Sequence, residues 1–149
     1  MFSNRFNYKA FTINSVIMKG VKMFICHIAM YTKDLERLKD FYTKYFSGKC
    51  NNKYHNSKTG LETYFITFEG GTKLELMQKP DLTSSSVHTN AEGLTHLAFS
   101  VGSKEEVDCL TKLLVSDGYT LHSAPRTTGD GFYESSILDP DNNIIEITQ

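Results

Sequence analysis

The chain has 149 residues, enough for one compact domain or two small halves sharing a core, and its 40% hydrophobic and 22% charged content excludes a disordered polymer. Sixteen basic against seventeen acidic residues, a formal net charge of −1, give no electrostatic reason for nucleic acid or an anionic membrane as partner, so a small molecule is the default ligand. Three cysteines without C-x-x-C spacing, no apolar run of membrane-spanning length and no signal-like leader predict a reduced, unexported, cytoplasmic protein.

Residues 1–22 carry Arg5, Lys9, Lys19 and Lys22, no acid and no clean period, and read as an arm outside the fold. Residues 24–31 then alternate as a strand, and residues 34–46 follow as a helix with the apolar stripe Leu35, Leu38, Phe41, Tyr42, Tyr45 and Phe46, ended near Gly48. Three strands are expected at about 49–54, 61–68 and 72–78, the last two joined by the tight Glu69-Gly70-Gly71 turn.

A polar connection over 80–92 leads to the same order again. A strand at 94–101 precedes a helix at 103–116, opened by the capping box Ser103-Lys104-Glu105-Glu106 and closed near Gly118. Strands at about 120–122, 132–138 and 144–148 complete the chain, the last two joined by the turn-forming Asp139-Pro140-Asp141-Asn142-Asn143. His27-Ile28-Ala29-Met30 corresponds to His96-Leu97-Ala98-Phe99, and Leu74-Glu75-Leu76 to Ile145-Glu146-Ile147. His27 to His96 spans 96 − 27 = 69 residues and Glu75 to Glu146 spans 146 − 75 = 71. The expected architecture is therefore α+β: module one over 23–79, module two over 93–149, each βαβββ, forming a half-open β-barrel around a metal pocket with helices outside.

Strand alternation puts Ile28 and Met30 on one face and His27, Ala29 and Tyr31 on the other, and opposes Glu75 and Glu146 to the leucines and isoleucines beside them. Each half thus points one imidazole and one carboxylate away from its helix. If an approximate two-fold axis relates the halves, His27, Glu75, His96 and Glu146 converge on one divalent cation, a mixed nitrogen and oxygen set that suits nickel, cobalt, zinc, manganese or iron. Two inward carboxylates without a cation would have to take up protons instead.

At these residues the chain, from Phe24 to Gln149, resembles the vicinal oxygen chelate superfamily and within it the glyoxalase I branch, whose ligand order is His, Glu, His, Glu. The resemblance implies a lyase or isomerase reaction; a homodimer is expected as well, its face drawn from those tyrosines and phenylalanines of the first helix that core packing leaves over. The metal holds two adjacent oxygens of a substrate such as a thiol hemithioacetal, while a metal-site carboxylate moves a proton between neighbouring carbons. Glu146 is the first choice for that base and Glu75 the second. Among short bacterial relatives nickel or cobalt is the usual ion. Bacterial glyoxalase I usually carries an arginine for a glutathione carboxylate four residues after the first His, and Tyr31 stands there. A non-catalytic, drug-sequestering protein of the bleomycin-resistance type is the main alternative; an iron oxygenase ranks below both.

Hairpin registers nominate further substrate-facing residues. A three-residue turn at 69–71 pairs Phe65 with Glu75 and puts Phe65, Thr63 and Thr67 on the pocket wall, while a five-residue turn at 139–143 pairs Ser136 with Glu146 and Glu134 with Thr148. Arg126, expected on a loop with Pro125 and Thr127, could reach an acidic substrate group. His55, His88 and His122 read as loop or edge residues, and Cys26 and Cys109 as core-facing.

Overall fold

Two parallel strand pairs, one in each half of the chain, organise the molecule. The computed structural model describes residues 24–83 and 92–149, so the expected arm at 1–22, most of the polar connection and His88 lie outside the described residues. In the first half, β1 (His27–Tyr31), α1 (Leu35–Tyr45), β2 (Lys49–Cys50), β3 (Tyr54–Asn56), β4 (Leu61–Thr67) and β5 (Lys73–Gln78) build a mixed sheet in the order β1-β5-β4-β2, with β3 also on β4. The second half repeats it with β6 (His96–Ser100), α2 (Lys104–Ser116), β7 (Leu121–Thr127), β8 (Tyr133–Leu138) and β9 (Ile144–Thr148), in the order β6-β9-β8-β7. Parallel pairing needs a crossover, and each helix supplies it.

Local chemistry fixes these elements. Asp34 caps α1 by accepting from the Arg37 amide at 3.0 Å, and Ser103 caps α2 by accepting from the Glu106 amide at 3.2 Å. Beyond α1, Gly48 passes so close to β4 that a Cβ there would lie 2.3 Å from Ile66 Cγ2. Gly118 ends α2 at φ 94, in the left-handed region that glycine takes without strain.

The apolar stripe of α1 is buried as its spacing predicts: Leu35, Leu38, Phe41 and Tyr42 are at most 2% exposed, each worth on the order of 1.5–3 kcal/mol. More than its own sheet covers it. Phe41 meets Tyr119 at 4.9 Å and Phe46 meets Phe99 at 4.4 Å between ring centroids, the Tyr42 hydroxyl donates to Asp139, and Arg37 pairs with Asp141. Rather than lying outside, α1 therefore fills the seam between modules, whereas α2 keeps an outer side with Leu113 and Val115 exposed. The two sheets stay open and are not hydrogen-bonded to one another.

Other expectations change too. The strand expected over 120–122 runs on to Thr127, taking Pro125 and Arg126 out of the loop. This is tolerable because β7 is an edge strand whose pairing with β8 is broken by register shifts, leaving proline's missing N–H outside the ladder. Cys26 and Cys109 are exposed, not core-facing: β1 begins only at His27, and α2 buries Val107, Thr111 and Leu114, a stripe that excludes residue 109. Among the described residues no helix is long and apolar enough to cross a membrane.

Candidate metal centre

In both modules the histidine and the glutamate come from the parallel strand pair. Ala29 stands opposite Glu75 and Ala98 opposite Glu146, so each histidine, two residues earlier, is the glutamate's diagonal neighbour on the sheet face away from the helix. The small alanine leaves the space between them open. His27 Nε2 lies 3.6 Å from Glu75 Oε2, and His96 Nε2 lies 3.6 Å from Glu146 Oε2.

That distance is too long for a hydrogen bond and fits two donors sharing an ion. Ligands each about 2.1 Å from a cation lie roughly 3.4 Å apart at a tetrahedral angle. The residues present therefore fit half of a divalent-metal shell, twice over. Among the described residues no three of His, Cys, Asp and Glu gather closely enough to hold an ion. The four expected ligands thus stand as two separate pairs, with histidine side chains 42% and 40% exposed and glutamates 16% and 20%.

The walls of the half-sites differ. In the first, Phe65 opposite Glu75 presents its ring at 90° to His27, 5.6 Å between centroids, and Met77 and Thr63 continue the same face. Thr67, paired with Lys73, lies on that face as well. Tyr31, at the end of β1, is half-exposed with the Lys79 ammonium 5.0 Å above its ring.

In the second half-site the matched wall is polar. Ser136 opposes Glu146 and shares a 3.0 Å hydrogen bond with His122 Nδ1, and Glu134 opposes Thr148. Arg126 reaches Glu134 Oε1 at 3.2 Å with Nη2 and donates from Nη1 to Ser123 Oγ at 2.5 Å. Burial raises the proton affinity of Glu146, the adjacent Glu134 carboxylate raises it further, and His96 opposes them. Thr95 Oγ1 bonds His96 Nδ1 at 3.1 Å, which orients the ring with Nε2 toward Glu146.

Sequence reasoning missed His122 and Phe132. With no counterpart in the first module, His122 offered no repeat to find it by, and its position depends on the β7 irregularities. Phe132, 57% exposed, lies one residue before β8, whose first residue Tyr133 turns to α2 and bonds Asp108 at 2.9 Å.

Residues 25–147 match the Glyoxalase family, described as the Glyoxalase/Bleomycin resistance protein/Dioxygenase superfamily. The uncharacterized protein YqjT of Bacillus subtilis (strain 168) is 30% identical over 125 residues, 81% of this chain and 94% of that protein. Among solved structures, a glyoxalase family protein from Enterococcus faecalis matches with TM-score 0.70 and 23% identity, over 85% of this chain and 97% of its own. The trypanothione-dependent glyoxalase I of Leishmania major matches with TM-score 0.68 and 22% identity, over 86% and 87%. Glyoxalase I from Zea mays matches with TM-score 0.71 and 22% identity over 84% of this chain, which spans 44% of the maize chain. These likenesses concern the fold.

Proposed function

The chain belongs to the Glyoxalase/Bleomycin resistance protein/Dioxygenase superfamily, and from that membership we propose that it is a metal-dependent lyase or isomerase of the glyoxalase I type, with each metal centre completed by two copies of the chain. The observation that carries this reading is the repeated 3.6 Å spacing of imidazole and carboxylate, one pair in each module. Each pair faces outward on a sheet whose first strand, β1 or β6, has an unpaired edge. Phe24 and Ile25 before His27, and Leu94 before His96, are 71–83% exposed, an apolar surface that a second copy would cover. A two-fold axis that sets the β1 edge of one copy against the β6 edge of the other would bring His27 and Glu75 to His96 and Glu146, and would join the two sheets as a half-open barrel.

Bound to that quartet, a divalent ion such as nickel, cobalt or zinc would supply positive charge where an oxyanion develops on a substrate with two adjacent oxygens. The chain's own part is proton movement. Glu146, its proton affinity raised by burial and by Glu134, takes a proton from a carbon next to the carbonyl and returns it to the neighbouring carbon; Glu75 is the second candidate. His96 is held by Thr95, and His27 is steadied by the Phe65 ring. Phe65 and Tyr31 shape the apolar side of the substrate cavity, with Thr67 beside them.

The test is turnover of methylglyoxal hemithioacetals of several thiols by the metal-loaded protein, with deuterium uptake from solvent as a second readout. Turnover that Glu146→Gln abolishes while the ion is partly retained supports the reading. Protein purified without chelator that lacks stoichiometric metal, yet binds an antibiotic unchanged, would establish sequestration instead.

A further inference from the structure

Arg126 is where a cation meets the second half-site, and a free guanidinium there would anchor a substrate carboxylate. This guanidinium is engaged. One terminal nitrogen contacts Glu134 at 3.2 Å and the other donates to Ser123 at 2.5 Å, while Glu134, its side chain 14% exposed, lies against Glu146. An anion that reaches Arg126, whose side chain is 52% exposed, also meets the Glu134 carboxylate 3.2 Å from the guanidinium. The carboxylate's repulsion offsets much of the guanidinium's attraction, so little net pull on an anion remains.

Neutral polar groups find better partners. Ser136, 8% exposed, and His122 form a pair that can both donate and accept, and Phe132, just before β8, is 57% exposed. The positions matching Ser136 and Glu134 in the first module are Phe65 and Thr63, so this polar wall belongs to one half of the cavity alone.

We propose that the second half-site receives an uncharged, hydroxyl-bearing portion of the substrate and turns away carboxylates, with Glu134 as the specificity-determining residue. The substrate class rests on the glyoxalase-type reading above; the charge filter rests on the Arg126–Glu134–Ser123 geometry. Glu134 neutralises a guanidinium that would otherwise select anions, and Ser136 with His122 reads hydroxyls in its place.

Two measurements test it. Succinate is titrated into full-length protein while the Arg126 side-chain NεH resonance is followed, in wild type and in Glu134→Gln. Wild type should show no saturable shift at millimolar succinate, and Glu134→Gln should bind at least tenfold more tightly; saturation of wild type at millimolar succinate would overturn the charge filter. Calorimetry on the zinc-loaded protein then compares the D-lactoyl thioesters of 1-thioglycerol, which is neutral, and mercaptosuccinate, which is anionic. Wild type should favour the neutral thioester at least tenfold, and Glu134→Gln should narrow that ratio at least tenfold. Equal binding by wild type, or an unchanged ratio in the variant, would refute Glu134's role. If neither thioester binds while the succinate results hold, the thioester reading of the function fails and the charge filter stands.

Discussion

Replacing Tyr42 by Phe removes a single hydroxyl from the seam between the modules. That hydroxyl donates to Asp139 Oδ2 over 2.9 Å, with the two residues 0% and 3% exposed. Asp139 also accepts from the Asp141 and Asn143 amides and from the Asn143 side chain, each at 2.9 Å, so the variant leaves a buried carboxylate short of one donor. A hydrogen bond to a charged acceptor contributes about 1.5–3 kcal/mol. At roughly 3 °C per kcal/mol for a chain of this length, Tm at neutral pH should fall by about 5–9 °C. The pH dependence gives a sharper check. Burial holds Asp139 above its ordinary 3.8 while its hydrogen bonds, Tyr42's among them, pull it down. Between 3.8 and the raised value the folded chain binds more protons than the unfolded one, so stability from this group grows as pH falls through that window. Losing Tyr42 widens the window, and the variant's deficit should be greatest at neutral pH and shrink on acidification. Urea unfolding of both proteins at pH 7.5 and 4.5 measures this. A neutral-pH deficit below about 0.5 kcal/mol, or one that grows in acid, would refute the reasoning.

Further predictions concern the sheets and the ligands. Gly48→Ala puts a Cβ 2.3 Å from the fully buried Ile66 side chain and should cost about 1–3 kcal/mol in thermal or urea unfolding. Glu36, held down to about 2 first by Lys39 and then by Lys53, adds stability above pH 4.5 that is lost as pH falls toward 2. Its half-exposed side chain makes the effect small and salt-sensitive, so the gap between wild type and Glu36→Gln should narrow over that range and in high salt. His27→Ala and His96→Ala should each weaken zinc binding by more than the roughly 10–100-fold cost of altering a supporting partner, as measured by competition with a chelating dye.

Much of this arrangement was legible in the residues themselves. The duplicated His and Glu positions, the Phe65–Glu75 and Ser136–Glu146 registers and the α1 stripe all follow from periods of two and 3.6, which local backbone geometry enforces. What periodicity leaves open is which surface covers a face. The stripe of α1 marks residues that must be buried, but the partners Phe99, Tyr119 and Asp139 come from far along the chain. The same gap bears on the four donors: side-chain direction puts them on two sheet faces, while the packing of module on module decides whether those faces meet. The strand through Pro125 was hidden because proline usually ends strands, and only an edge with broken register admits it. His122 lay behind that irregularity.

Mixing two inactive variants tests the shared centre most directly. His27→Ala/Glu75→Ala lacks the first donor pair and His96→Ala/Glu146→Ala lacks the second, so neither should bind zinc tightly or turn over a hemithioacetal alone. After unfolding, mixing and refolding together, mixed pairs of chains should each regain one intact centre, with both zinc and activity returning to about a quarter of the wild-type level. No recovery on mixing, with tight zinc binding in the wild type, would place all four donors within one chain and contradict the account.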